Sequence, residues 1–155
     1  MQLPRIYQAL GESNFQQLVR SISLGKLRTY QLFDRLKARA HLQKLNQENL
    51  RKAAPRLWAR LSEGDLELAA DLSQAILVGT LDMIVDVLNF LGIPHNNGFF
   101  EKNAAVSQYL TDGWQQRAFE QFRGRYPEPQ LLFYLNHLAH EVDEKAELFL
   151  PAEVR

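Results

Sequence analysis

Three cations recur at every fourth residue in the first half of the chain: Lys52, Arg56 and Arg60. In a helix this spacing brings them onto one side, opposite the apolar positions Leu57 and Leu61. They are therefore predicted to form an outward ridge, here called the basic ridge, that would attract phosphates. The alternative is an ordinary charged helix exterior, which pairs with acids of the same molecule or of a second copy.

A second group of residues has the composition of a metal site. His137 and His140 are three residues apart, and Asp82 and Asp86 are four apart, so each pair shares one side of a helix. With Glu144 they would offer two imidazoles and several carboxylates to a metal ion. The histidines lie opposite the main apolar stripe of their helix, however, whereas metal sites in helical bundles use inward-pointing ligands. The alternative is a solvated surface with i,i+4 pairs.

Covalent catalysis has little support in the sequence. The chain has no cysteine, no serine in a Gly-x-Ser-x-Gly elbow and no glycine-rich phosphate loop. Paired acids four residues apart are common on ordinary helix surfaces. We therefore expect no enzyme activity and no cofactor.

Charge is sorted into blocks along the chain. Residues 20 to 60 carry eleven Lys or Arg against two acids, a net of +9, whereas residues 61 to 112 carry eight acids against one Lys, a net of −7. The whole chain has a net charge of zero, unlike the strongly basic domains that typically bind nucleic acid. We predict that the two blocks neutralise each other within one folded body.

Length and composition are those of one globular domain, covering residues 1–155. With 46% hydrophobic and 23% charged residues, the chain lacks the signature of disorder. The N-terminus has no signal-peptide pattern, so a cytoplasmic location is expected. The apolar stretch from Ala75 to Ile93 contains Asp82 and Asp86, each of which would cost about 2.5 to 3.5 kcal/mol at a bilayer centre. We therefore read this stretch as a buried helix and expect no membrane contact.

Helical periodicity and the absence of alternating runs predict an all-α fold, a single compact bundle of about six to eight helices. Its centre is predicted to be one long apolar helix over residues 66–91, begun by Asp65 and with a possible interruption at Gly79-Thr80. Asn97-Gly98 predicts a tight turn in the loop that follows.

Other boundaries follow from capping residues and breakers. Ser13 is predicted to cap the second helix, Gly25 to stop it, and Thr29 to cap the third. A further helix begins near Asn46, with Pro55 either kinking it or lying in its first turn. The last helix follows Pro127 and Pro129, carries apolar residues as far as Phe149, and stops at Pro151.

Phe133 lies beside His137 and His140 on the last helix, away from the main apolar stripe. An aromatic residue there predicts that this face is covered by another helix or by a second subunit. We therefore predict a non-enzymatic interaction module that self-associates, with Phe133, His137 and His140 as the first candidate contact. The alternatives are nucleic-acid binding through the basic segment of residues 20–60, with the basic ridge at its centre, and a metal-dependent helical-bundle enzyme.

Overall fold

The computed structural model describes residues 2–100 and 105–151 and confirms the all-α class. The described residues form nine α-helices and one short 3₁₀-helix, Val106–Tyr109. The α-helices are α1 (Leu3–Leu10), α2 (Glu12–Arg20), α3 (Leu24–Thr29), α4 (Phe33–Arg39), α5 (Gln47–Ser62), α6 (Leu66–Gly79), α7 (Leu81–Leu91), α8 (Trp114–Phe122) and α9 (Glu128–Val142). Within these ranges the only β-pairing is one isolated antiparallel bridge between Asn96 and Phe99, the two residues that flank the predicted Asn97-Gly98 turn.

The chain divides into two compact units, Gln2–Thr80 and Leu81–Arg155. The first unit contains α1 to α6, and the second contains α7, the 3₁₀-helix, α8 and α9. That residues 1–155 form one domain stays a prediction.

In the first unit, three of the six helices (α3, α5 and α6) start at a side chain that accepts a backbone hydrogen bond. Asn46 accepts from the backbone N–H of Asn49 and begins α5, and Asp65 accepts from that of Leu68 and begins α6. The sequence predicted a helix start near Asn46 and the start of the next helix at Asp65. Deeper in this unit the hydroxyls of Tyr7 in α1 and Ser73 in α6 lie 2.8 Å apart, both fully buried. This hydrogen bond joins the first and last helices of the unit.

Three predicted boundaries in this unit are wrong. Ser13 lies inside α2, which starts directly after Gly11, a residue with a φ of 91°. Ser23 caps α3 instead, so Gly25 lies within that helix rather than ending the previous one. Thr29 is the last residue of α3, and its hydroxyl donates to the carbonyl of Gly25.

The prediction of one unbroken helix over residues 66–91 is wrong, and the alternative interruption at Gly79-Thr80 is the one observed: α6 ends at Gly79 and a second helix starts at Leu81. Thr80 leaves the helical conformation, with φ −124° and ψ 26°, and its hydroxyl donates to the carbonyl of Ile76. Among the described residues no single helix is long and apolar enough to cross a membrane, although α6 and α7 taken together reach that length.

In the second unit α9 is the most buried element: Leu131 to Ala139 are all buried. The helix ends at Val142, so the prediction that it continues to Phe149 is wrong. The backbone of Asp143 is extended. Its carboxylate accepts a hydrogen bond from the backbone N–H of Lys145, a local interaction that competes with continuation of the helix. The chain then returns to α9, where the Asn136 amide exchanges hydrogen bonds of 2.7 and 3.0 Å with the backbone of Phe149.

Candidate binding surface

The structure splits the predicted basic ridge. Lys52 and Arg56 are exposed on α5, and 64% of the Lys52 side chain is accessible. Arg60 is turned inward with only 20% of its side chain accessible. It lies 3.0 Å from the Asp65 carboxylate and donates to the backbone carbonyl of Arg39 at 2.9 Å. Arg60 therefore ties α5 to its neighbours rather than extending the ridge.

Opposite charges of the two sequence blocks meet at the start of α6. The Arg39 guanidinium lies 2.8 Å from Asp71 and 2.5 Å from Glu67, and the hydrogen bond to Asp71 raises the pKa of Arg39. The pKa of Asp65 is lowered, first by the backbone N–H of Leu68 and then by Arg60. The predicted internal neutralisation is confirmed for Arg39 and Arg60.

Other cations of the basic segment surround a pocket between α2 and α5, here called the α2/α5 pocket. It has a volume of about 270 Å³. Its lining consists of Gln16, Val19, Arg20, Arg51, Lys52, Ala54 and Pro55. Val19 and Ala54 are buried and form an apolar floor, whereas the three cations are exposed at the rim. The pocket therefore combines positive charge with a small apolar surface.

The rim cations are poorly neutralised. Neither Arg20 nor Arg51 forms an ion pair with any acid in residues 2–100 or 105–151, and the same holds for Arg56 one turn further along α5. Lys52 lies 3.2 Å from Glu48, but both side chains are about two-thirds exposed. An exposed pair of this kind contributes roughly 0.3–0.5 kcal/mol in a helix, so Lys52 remains available to an incoming anion.

Pro55, which also lines the pocket, interrupts the backbone hydrogen bonding of α5. It lies inside α5, and a proline has no N–H to donate to the carbonyl four residues earlier. That carbonyl belongs to Arg51, which lines the pocket together with Pro55. The Arg51 carbonyl therefore lacks its usual helical donor, while the rim of the pocket can receive negative charge. Of the sequence alternatives, Pro55 within the helix is the one observed.

Arg20 and Arg51 are functional candidates that sequence reasoning missed. Arg51 directly precedes Lys52 of the basic ridge, so the pair Arg51-Lys52 could have indicated from the sequence that Arg51 belongs to the same charged surface. Arg20 ends α2 and reaches the pocket only because α2 packs against α5. No local pattern connects two residues 31 positions apart, so only the tertiary structure brings them together.

The predicted C-terminal contact is not a surface. Phe133 is 1% exposed and His137 is 4% exposed, so a partner could not reach either side chain in this conformation. That this face is covered agrees with the expectation from Phe133, but the chain itself covers it. Burial, helped by the nearby charge of His140, lowers the pKa of His137 to about 4. His140 is partly exposed, and the Nδ1 atoms of both histidines are buried without a hydrogen-bond partner among the described residues.

The predicted metal ligands do not assemble. Over the described ranges no three His, Asp or Glu side chains come together in a way that could hold a metal ion. Asp86 instead accepts a hydrogen bond from the Tyr126 hydroxyl and lies 3.4 Å from Arg125, and Asp82 is exposed.

Comparison with known proteins identifies no relative. No protein-family model, curated protein or solved structure matches this chain. The interpretation of the α2/α5 pocket therefore depends on its own chemistry.

Proposed function

We propose that this protein is a non-enzymatic interaction module that binds an acidic protein partner through the α2/α5 pocket. The observation that carries the proposal is the position of Arg20 and Arg51 at the rim of an apolar-floored pocket without an acid partner among the described residues. Cations held beside a small apolar surface favour a ligand that supplies both carboxylates and apolar atoms, as an acidic peptide segment does.

The pocket has a volume of about 270 Å³, near the lower end of the roughly 300–1,000 Å³ of small-ligand sites. That volume suits one or two inserted side chains. An acidic protein segment can fill it while its carboxylates reach the exposed cations at the rim.

Nucleic-acid binding is the second candidate. It is favoured by the exposed cations Arg51, Lys52 and Arg56, which occupy two successive turns of α5. Phosphate contacts alone would give an affinity that falls steeply with salt. The neutral net charge of the whole chain argues for the acidic protein partner first.

The test compares two labelled probes by fluorescence anisotropy: a peptide alternating Glu with Leu or Ala, and a mixed-sequence DNA duplex. Each is titrated at about 50 and 200 mM salt, because a site making several phosphate contacts loses affinity by orders of magnitude over this range. The variant Arg20→Ala, Arg51→Ala is expected to weaken peptide binding at least tenfold. The matched control, Arg35→Ala with Lys44→Ala, removes two exposed cations that do not line the pocket. It should leave the affinity for the peptide unchanged.

Each outcome of this test either supports the proposed function or overturns it. Peptide binding lost in the pocket variant and kept in the control supports the proposal. DNA binding that exceeds peptide binding and falls steeply with salt would replace it by the second candidate. Equal affinity of both variants for the peptide, or no peptide binding at low salt, would overturn it.

A further inference from the structure

The two units carry opposite charge. Residues 2–80 contain twelve Lys or Arg and seven acids, a net of +5, and residues 81–155 contain six Lys or Arg and eleven acids, a net of −5. Three of these eleven acids, Asp143, Glu144 and Glu147, follow directly after α9. Charges sorted in this way favour contact between the basic unit of one molecule and the acidic unit of another.

Residues 143–147, here called the acidic loop, present this negative charge to solvent. Asp143, Glu144 and Glu147 are exposed, and Lys145 is the only cation among them. The loop is held at both ends. It starts at the end of α9, and shortly after it Phe149 is fixed by the Asn136 amide and by an edge contact with Phe119 at 6.4 Å. Ordering the loop on binding therefore costs little entropy.

We infer that the acidic loop of a second copy of this chain occupies the α2/α5 pocket, an inference that rests on the proposed function of that pocket. The carboxylates of Asp143 and Glu147 would face Arg20 and Arg51. Ala146 lies between the acids and matches the small apolar floor.

The contact joins two different surfaces, so each copy contributes one pocket and one loop. A closed assembly then contains the contact twice in a two-fold dimer or once per copy in a ring. Because the two surfaces differ, the inference can be tested by mixing two variants. A variant without a functional pocket keeps its loop, and a variant without a functional loop keeps its pocket, so together they can still form one intact contact.

The experiment measures mass by light scattering and sedimentation velocity across a range of protein concentrations at low and high salt. The wild type is expected to exceed the monomer mass of 17.9 kDa at low salt and to dissociate as salt rises. The pocket variant is Arg20→Glu, Arg51→Glu. The loop variant is Asp143→Asn, Glu147→Lys, in which Asn keeps the acceptor for the Lys145 N–H. Each variant alone is expected to be a monomer, and an equimolar mixture is expected to form a one-to-one dimer.

Matched controls reverse exposed charges elsewhere: Arg35→Glu in the first unit and Glu120→Lys in the second. Both should associate like the wild type. Circular dichroism checks that all variants keep their helices. A wild type that stays monomeric at every concentration, or a mixture that stays monomeric while the wild type associates, would overturn the inference. If the alternating acidic peptide still binds the pocket in that case, the proposed function stands without it.

Discussion

A Cβ atom on Gly79 would lie 2.5 Å from the backbone carbonyl oxygen of Ser21. The segment that follows α2 thus packs against the end of α6 at a distance that only glycine allows. This contact explains why the chain keeps a poor helix former at the last position of α6, next to the break at Thr80.

The first prediction follows from this contact. Gly79→Ala should lower the free energy of unfolding by about 1–3 kcal/mol, as overpacking usually does, although alanine alone would favour the helix by about 1 kcal/mol. Urea denaturation measures the change. Gly124→Ala is the control, because a Cβ there meets no atom within 4 Å. Equal stability of the two variants would show that the Ser21 backbone moves away freely.

The second prediction separates two roles of Asp65. Asp65→Ala removes both the cap of α6 and the ion pair with Arg60 and should cost about 1–2 kcal/mol. Asp65→Asn keeps an oxygen that can accept from Leu68, so it should cost less than half as much. Thermal or urea unfolding of both variants provides the measurement. A loss as large for Asn as for Ala would mean that the charge, rather than the cap, is what Asp65 contributes.

The third prediction concerns Pro55. Pro55→Ala restores an N–H to the carbonyl of Arg51, and because Pro55 is exposed it removes little packing. The variant should be more stable by about 1–3 kcal/mol, a large part of the usual cost of proline inside a helix. Urea denaturation of the variant and the wild type measures the change. A destabilised variant would contradict the helix argument.

The fourth prediction is a loss of stability in acid caused by His137. Its pKa is about 4 in the folded protein and about 6.5 when unfolded, so between these values only the unfolded chain binds the proton. Stability should therefore fall as the pH is lowered from 6.5 to 4, by roughly 3 kcal/mol in all. Comparing the pH dependence of unfolding in His137→Gln with that in His41→Gln, an exposed control, isolates the effect. An unchanged slope in His137→Gln would refute it.

The starts of α5 and α6 could be read from the sequence because each depends on one capping residue and its near neighbours. Asn46 and Asp65 need only a backbone N–H three residues ahead. Ser13, Gly25 and Thr29 were assigned wrongly, and Ser23 was missed, because several residues with suitable side chains stand close together there. Local pattern cannot choose among competing caps.

The candidate site was predictable only in part. Lys52 and Arg56 were identified from their spacing and are exposed as expected. Arg60 has the same spacing but turns inward, because Asp65 and the carbonyl of Arg39 lie within reach. The helical wheel gives the side of α5 on which a residue lies, but not which neighbour covers that side.

The sequence alone determined the all-α class, most helix positions and the separation of charge, since these depend on periodicity, on local caps and on counts of residues. Tertiary structure decided which cations pair with acids, which backbone segment packs against Gly79, and that Arg20 and Arg51 line one pocket. Those outcomes depend on packing between segments far apart in the chain, and in the case of Gly79 on one backbone contact that no local pattern encodes.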